Sequence, residues 1–279
     1  MISGVDLHTH TTASDGVLSP RDLVRLAARH GVRVLAVTDH DSTEGVRAAT
    51  AEAALYPPLT IVPGLEINCD VEGGEVHLLG YFVDLEAPWF QGFLHEQRAE
   101  RRARVYRIVE RLGQLGLAID PAEVFALVQE GSAGRPHVAQ VMVNHGYVKS
   151  VREAFDRYLH AGGPASVPRK RLTPVDAVKV IRRAQGVPVF AHPGLAGKDE
   201  IIPELVAAGL MGIETYYLEH TPAQVAAYQA MCAKLDLIAT GGSDYHGIAN
   251  GRANSPGTPR VPMAVYDELL SRAAAAAHG

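Results

Sequence analysis

Histidine and carboxylate residues recur in short clusters along this 279-residue chain, and their types and spacing are those of metal ligands. His8 and His10 form an HxH pattern with Asp15 soon after; Asp39, His40 and Asp41 are consecutive; Glu66 and His77 follow. His192, Glu214, Asp244 and His246 lie in the last third. Side chains along a strand alternate with period two, so the HxH spacing puts both imidazoles on one face of a strand end. Imidazole suits Zn, Mn and Fe(II), and a carboxylate such as Glu66 is able to bridge two ions at the ~3.5–4 Å separation of two-metal hydrolysis. Taken singly, each cluster has a plainer reading. HxH can be two satisfied histidines, the stretch from Asp41 to Glu44 a helix start, and His192-Pro193-Gly194 a turn. Their coincidence at successive strand ends points instead to metal-assisted hydrolysis.

The elements that must position these residues are visible as short, β-branched apolar runs alternating with helical periodicity. Strands are predicted over residues 5–7, 34–38, 60–65, 76–83, 187–191, 212–216 and 237–240. Ser19-Pro20 and Thr173-Pro174 open helices, Pro222 starts another, and 263–277 reads as a C-terminal helix. The pattern is an α/β chain of βα units around a parallel sheet, with the ligands at the C-terminal strand ends where such folds place their sites.

Residues 88–171 break the pattern. Strand signals nearly vanish, and helices are expected over 89–115, 121–129, 136–144 and 151–159. This segment carries 13 Lys+Arg and 8 Asp+Glu, net +5, against a net of −10 for the rest. It is expected to be an inserted helical unit of 84 residues, dividing a barrel into parts 1–87 and 172–279. Its arginines at 98, 101, 102, 104, 107 and 111 alternate with Glu96, Glu100 and Glu110, a pattern that reads as a solvated, ion-paired helix face.

Composition excludes several classes. The net charge of −5 and the lack of a long basic tract argue against extensive duplex binding. No apolar run approaches the ~20 residues of a membrane span, and no secretory leader is evident, so a cytoplasmic location is expected. Cys69 and Cys232 make no disulfide framework and fit no CxxC motif; both read as core thiols.

The stretches DLHTHTTASDG (6–16), AVTDHDS (36–42), PGLEI (63–67), VHLLGY (76–81), AHPG (191–194) and GGSDYHG (241–247) closely resemble the polymerase and histidinol phosphatase (PHP) family of metal-dependent phosphoesterases. The motifs cover both flanks in family order. GRPH (134–137) in the helical segment resembles the subgroup that dephosphorylates nucleoside 3′,5′-bisphosphates and trims short 5′-phosphorylated RNA.

The resemblance implies a distorted seven-stranded barrel holding two or three divalent ions, Mn²⁺ first, with Zn²⁺, Fe²⁺ and Mg²⁺ as alternatives. Matched by position, His8, His10, Glu66 and Asp244 hold the first ion, and Glu66 bridges to a second held with His77 and His192. Asp15, His40 and His246 hold a third. Asp15 stands where some members have histidine, and an oxygen ligand there favours Mn, Mg or Fe(II) over Zn. A water shared by two ions is then the nucleophile, and no protein nucleophile is needed.

Arg135 and His137 are the expected catalytic and substrate-orienting groups, with Lys170, between Arg169 and Arg171, as a contact for a second phosphate. Asp41, also a catalytic candidate, either orients His40 or caps a helix. Glu214 and His220 lie near the expected mouth without an assigned role. The expected partner is a small phosphorylated nucleotide or a short single strand, with no membrane and no obligate protein partner. Histidinol-phosphate phosphatase is the runner-up activity, and a basic insertion is not needed for that amine. A non-catalytic binding module is the third reading and predicts missing ligands, yet all nine matched positions are filled.

Overall fold

The computed structural model describes residues 4–72, 74–128, 131–167, 172–247 and 254–277. Seven strands form one sheet in sequence order: β1 (Val5–Asp6), β2 (Val34–Val37), β3 (Thr60–Val71), β4 (Gly74–Tyr81), β5 (Val187–Phe190), β6 (Gly212–Tyr217) and β7 (Ile238–Gly242). Leu7 N–H donates to Gly241 O at 3.1 Å and Thr9 bridges Tyr245 in parallel, which brings the first and last strands together into a nearly closed barrel.

Helices α1 (Pro20–Arg29), α2 (Glu44–Ala53), α7 (Pro174–Arg183), α8 (Pro193–Ala196), α9 (Ile202–Ala208), α10 (Pro222–Leu235) and α11 (Ala264–Ala277) accompany the strands. Ser19 caps α1, Thr173 caps α7 and Thr221 caps α10, each hydroxyl accepting a backbone N–H of the first turn, and proline opens all three.

The fourth strand departs from a regular βα barrel. β4 pairs antiparallel with both β3 and β5, whereas every other pair is parallel. The cause is connection length. Only two residues separate Val71 from Gly74, enough for a hairpin, while a parallel crossover needs a dozen or more. The reversal matters for chemistry, because the start of β4 then lies at the same barrel end as the C-termini of its neighbours. His77, near that start, therefore joins ligands that come from strand ends.

Period-two alternation sorts the rest. Val62, Leu79, Tyr81, Val187 and Val189 pack into one core with Val5, Leu7 and Ile238, and α11 packs on it through Val265 and Leu269. Their neighbours Leu65, Ile67, Leu78 and Phe190 face the other way, against α7 and α9. Continuing along β3 from Val62, the same inward parity carries Glu66 and Asn68, so an apolar core gives way to polar ligands at one end of the barrel.

Between β4 and β5 come α3 (Pro88–Gln114), α4 (Pro121–Ala126), α5 (Arg135–Asn144) and α6 (Val151–Ala154), the last running into a π-helical turn at Phe155–Leu159. Residues between Val105 and Val167 form an apolar cluster of their own, including Ile108, Leu112, Val138 and Met142. Cys69 and Cys232 are both buried thiols. No helix among the described residues is long and apolar enough to cross a membrane.

Candidate metal centre

Glu66 is the hub of the polar end. Asn68 shares its face and lies directly across from His77 in the β3–β4 hairpin. From that register, His77 Nδ1 reaches Glu66 Oε1 at 2.8 Å. His192 Nε2 meets the same oxygen at 3.1 Å, while His40 Nδ1 lies 2.9 Å and His10 Nε2 3.3 Å from Oε2. Asp244 Oδ1 lies 3.3 Å from His10 Nε2 and 3.5 Å from His8 Nε2. Across the centre, Asp15 Oδ1 is 3.2 Å from His246 Nε2, and its Oδ2 is 3.8 Å from His40 Nε2.

The donor atoms fit divalent ions better than they fit one another. His8 Nε2 and His10 Nε2 stand 3.1 Å apart, about the spacing of two nitrogens that share one ion at ~2.0–2.1 Å. Asp15 Oδ1, His40 Nδ1 and His192 Nδ1 are buried without a well-directed hydrogen bond, although Asp15 Oδ1 lies 3.2 Å from His246 Nε2 and His40 Nδ1 2.9 Å from Glu66 Oε2. Buried polar groups are normally satisfied, and poorly satisfied donor atoms gathered around Glu66 fit a site that takes an ion. Among the described residues, four sets of ligand atoms converge: His8 with His10 and Glu66; His40 with Glu66 and His77; His10 with Asp15, His40 and His246; and His8 with His192 and Glu214.

Groups behind the ligands fix their directions. Glu214, fully buried, bonds His8 Nδ1 at 3.0 Å and accepts the His192 N–H at 2.8 Å. The Tyr217 hydroxyl donates to Asp244 Oδ2 at 2.9 Å. His220 Nδ1 meets the Thr215 carbonyl at 3.0 Å, so it carries the proton, and Nε2 accepts the Gly194 N–H. That pins the turn after His192 and gives Glu214 and His220 positioning roles. Asp39 accepts the Thr11 N–H, the Thr11 hydroxyl and the Ser14 hydroxyl at 2.6–2.7 Å, which holds the loop that carries Asp15. Asp41, His192 and Asp244 all adopt positive φ, at 48°, 28° and 49°. Such backbone costs about 1–3 kcal/mol per residue and persists where surrounding contacts over-determine it.

The remaining expected site residues divide. Arg135 lines a cavity of about 730 Å³ at the centre, its guanidinium on Glu75. Asp41 does not face that cavity; its carboxylate is buried against Arg101 Nε at 2.5 Å. His137 is buried at the start of α5, where Nδ1 accepts the Gly134 N–H, and it also lies off the cavity wall. Lys170 lies outside the described residues. The arginine row of α3 is not uniformly solvated, because Arg101 and Arg104 both turn to the cavity. Arg101 Nη2 bonds Asn68 Oδ1, and Asn68 Nδ2 bonds His77 Nε2 at 2.7 Å. Glu75, unforeseen in the sequence, gathers Arg104, Arg135 and His77.

In the metal-free chain the centre gathers protons. Burial pulls the His10 imidazole down, but hydrogen bonds to Asp244 and Glu66 outweigh it and raise the pKa to about 10. His77, buried yet facing Glu66 and Glu75, is raised to about 9. For His40 burial wins over Glu66 and Asp15, and the ring stays neutral down to about 4. A raised imidazole adds stability that is complete below its ordinary value of 6.5 and is lost as pH climbs through about 9 to 10. Ligation needs those protons to leave. Mn²⁺ affinity is therefore expected to rise from about pH 6 to about pH 9, with a binding heat that depends on the buffer's ionisation enthalpy. Calorimetry in two buffers checks this, and a proton-free, pH-independent binding would remove His10 and His77 from the ligand set.

A barrel whose open end gathers histidines and carboxylates around one bridging glutamate is the layout of a metal-dependent hydrolase. The PHP domain family model matches residues 6–165, and the chain belongs to that family. It is 34% identical to a 5′-3′ exoribonuclease Rnm of Escherichia coli, over 86% of this chain and 84% of that one. Identity is 30% to a 3′,5′-nucleoside bisphosphate phosphatase of Chromobacterium violaceum, with 97% and 98% covered. It is 32% to a phosphoribosyl 1,2-cyclic phosphate 1,2-diphosphodiesterase of Eggerthella lenta, with 87% and 94% covered. A solved structure from Bifidobacterium adolescentis, described as a metal-dependent phosphoesterase, superposes with a TM-score of 0.88 at 32% identity, with 97% and 96% covered. This protein is a PHP metal-dependent phosphoesterase.

Proposed function

We propose that the chain removes the 3′-phosphate from nucleoside 3′,5′-bisphosphates, such as adenosine 3′,5′-bisphosphate, and trims short 5′-phosphorylated RNA. The observation that carries this reading is the two-sided cavity. The ligand cluster forms one wall, and Arg101, Arg104, Arg135 and Arg152, with Phe155 among them, form the other. Two separate sets of positive charge suit a substrate with two phosphates, and the Phe155 ring beside Arg135 suits a nucleoside. Histidinol phosphate would leave the arginine wall unused and set an ammonium group against it.

In this reading His8, His10, Glu66 and Asp244 hold one ion, Glu66 with His77 and His192 a second, and Asp15 with His40 and His246 a third. Divalent ions, Mn²⁺ here, would supply a hydroxide at neutral pH and neutralise the phosphoryl oxygens. Arg135 orients the far phosphate, with Glu75 fixing its guanidinium in advance. Residues 88–171 act as the substrate lid on a barrel of parts 1–87 and 172–279.

The test is phosphate release by Mn²⁺-loaded enzyme from adenosine 3′,5′-bisphosphate, histidinol phosphate and a ribosyl 1,2-cyclic phosphate in parallel. Preference for the bisphosphate is expected, and preference for either other substrate overturns the assignment. Arg135→Ala is expected to raise KM for the bisphosphate by ~10–100-fold, the value of a charge-assisted hydrogen bond, with metal content unchanged. Unchanged kinetics would take Arg135 out of the site.

A further inference from the structure

The loop that carries Asp15 is held from two sides. Asp39 grips it from within the barrel through Thr11 and Ser14. On its other side lie residues 131–137 of the helical segment. Ser132 N–H donates to the Ala13 carbonyl at 3.1 Å. Gly131 packs so closely that an added Cβ would come within 2.4 Å of that same carbonyl group. His137, 8% exposed, hydrogen-bonds the backbone of Ser14. Its Nδ1 is already an acceptor for Gly134 N–H, so Nε2 carries the proton and is the donor left for the Ser14 carbonyl. Burial lowers the pKa of the ring, which keeps this tautomer neutral.

We propose that His137, with Ser132 and Gly131, is a positioning device through which the helical segment completes the subsite of Asp15, His40 and His246. It rests on the reading of Asp15 as a ligand given above. An imidazole that spends both nitrogens on backbone groups has none left for a phosphate, so His137 acts through Asp15 and not on substrate. The consequence is coupling: an ion at Asp15 and docking of residues 131–137 favour each other, because each is stronger when the loop of residues 11–16 is fixed. The ion of Glu66, His77 and His192 lies outside this coupling, since those ligands come from β3, β4 and the end of β5.

Metal content per chain after dialysis against Mn²⁺ reads the effect without any substrate. His137→Ala is expected to retain about one ion fewer than the wild type, while His137→Gln, whose amide N–H can reach as Nε2–H does, restores it. Asp15→Asn should show the same deficit. Gly131→Ala, which pushes on the loop without touching His137, should lower content as well, and it serves if His137→Ala does not fold. Full content in a folded His137→Ala protein beside a deficit in Asp15→Asn overturns the positioning role alone. Full content in Asp15→Asn overturns the ligand reading beneath it.

Discussion

Glu66→Gln is expected to lower kcat/KM by ~10³-fold or more, the several kcal/mol that ion-assisted charge stabilisation contributes, at about 1.36 kcal/mol per factor of ten. The side chain is 1% exposed and lies within 3.5 Å of five imidazoles, those of His8, His10, His40, His77 and His192. Glutamine keeps the volume and one carbonyl oxygen, so packing is preserved, but it loses the charge that would offset the two dications proposed to share Glu66. Bound metal should fall by more than one ion per chain, whereas an Asp15 substitution should cost a single ion. Elemental analysis together with circular dichroism of the metal-free proteins separates loss of ions from loss of fold. A folded Glu66→Gln protein with wild-type metal content would sink the bridging assignment.

The side chains that converge at the centre were legible because their chemistry is concentrated in few residue types and their positions follow strand parity. Strand ends found from apolar runs such as 187–191 put His192 in place without any knowledge of the barrel. Two things were hidden for different reasons. The direction of β4 depends on the length of one turn: the apolar runs 60–65 and 76–83 leave ten residues between them, whereas β3 continues to Val71 and β4 starts at Gly74, which leaves no room for a crossover. The inward arginines of α3 depend on which face of a long helix docks. Charge alternation suggested solvent, yet Arg101, Val105, Ile108 and Leu112 fall on one stripe at helical spacing, and the last three are core residues. An arginine continuing an apolar stripe is the signal for a buried cation, and it needs a buried acid at the far side. Asp41 supplies that acid, and no local pattern links residues 60 positions apart. The roles expected of Asp41 and His137 drew on their neighbourhood in sequence, whereas the Asp41 carboxylate bonds Arg101 and His137 bonds the backbone of Ser14 as well as that of its neighbour Gly134.

Arg101→Met is expected to destabilise the metal-free protein by ~3–5 kcal/mol, the usual cost of removing one partner of a buried ion pair. Arg101 is 7% exposed and Asp41 fully buried, so methionine can replace much of the packing but leaves the carboxylate without the guanidinium bonded to it. The double variant Arg101→Met with Asp41→Asn should recover a large part of the loss, because the penalty lies in the stranded charge more than in the missing attraction. Denaturant unfolding of the wild type, Arg101→Met, Asp41→Asn and the double variant in chelator measures both terms, and an Arg101→Met protein as stable as the wild type would show the pair to be dispensable. The same guanidinium also holds Asn68, which bonds His77 Nε2 while Nδ1 faces Glu66. Losing that support should weaken Mn²⁺ binding by ~10–100-fold, as for other groups that orient a ligand from behind, and the double variant should not restore it. Stability recovered without affinity would separate the two tasks that Arg101 performs, tying α3 to the barrel and aiming a metal ligand.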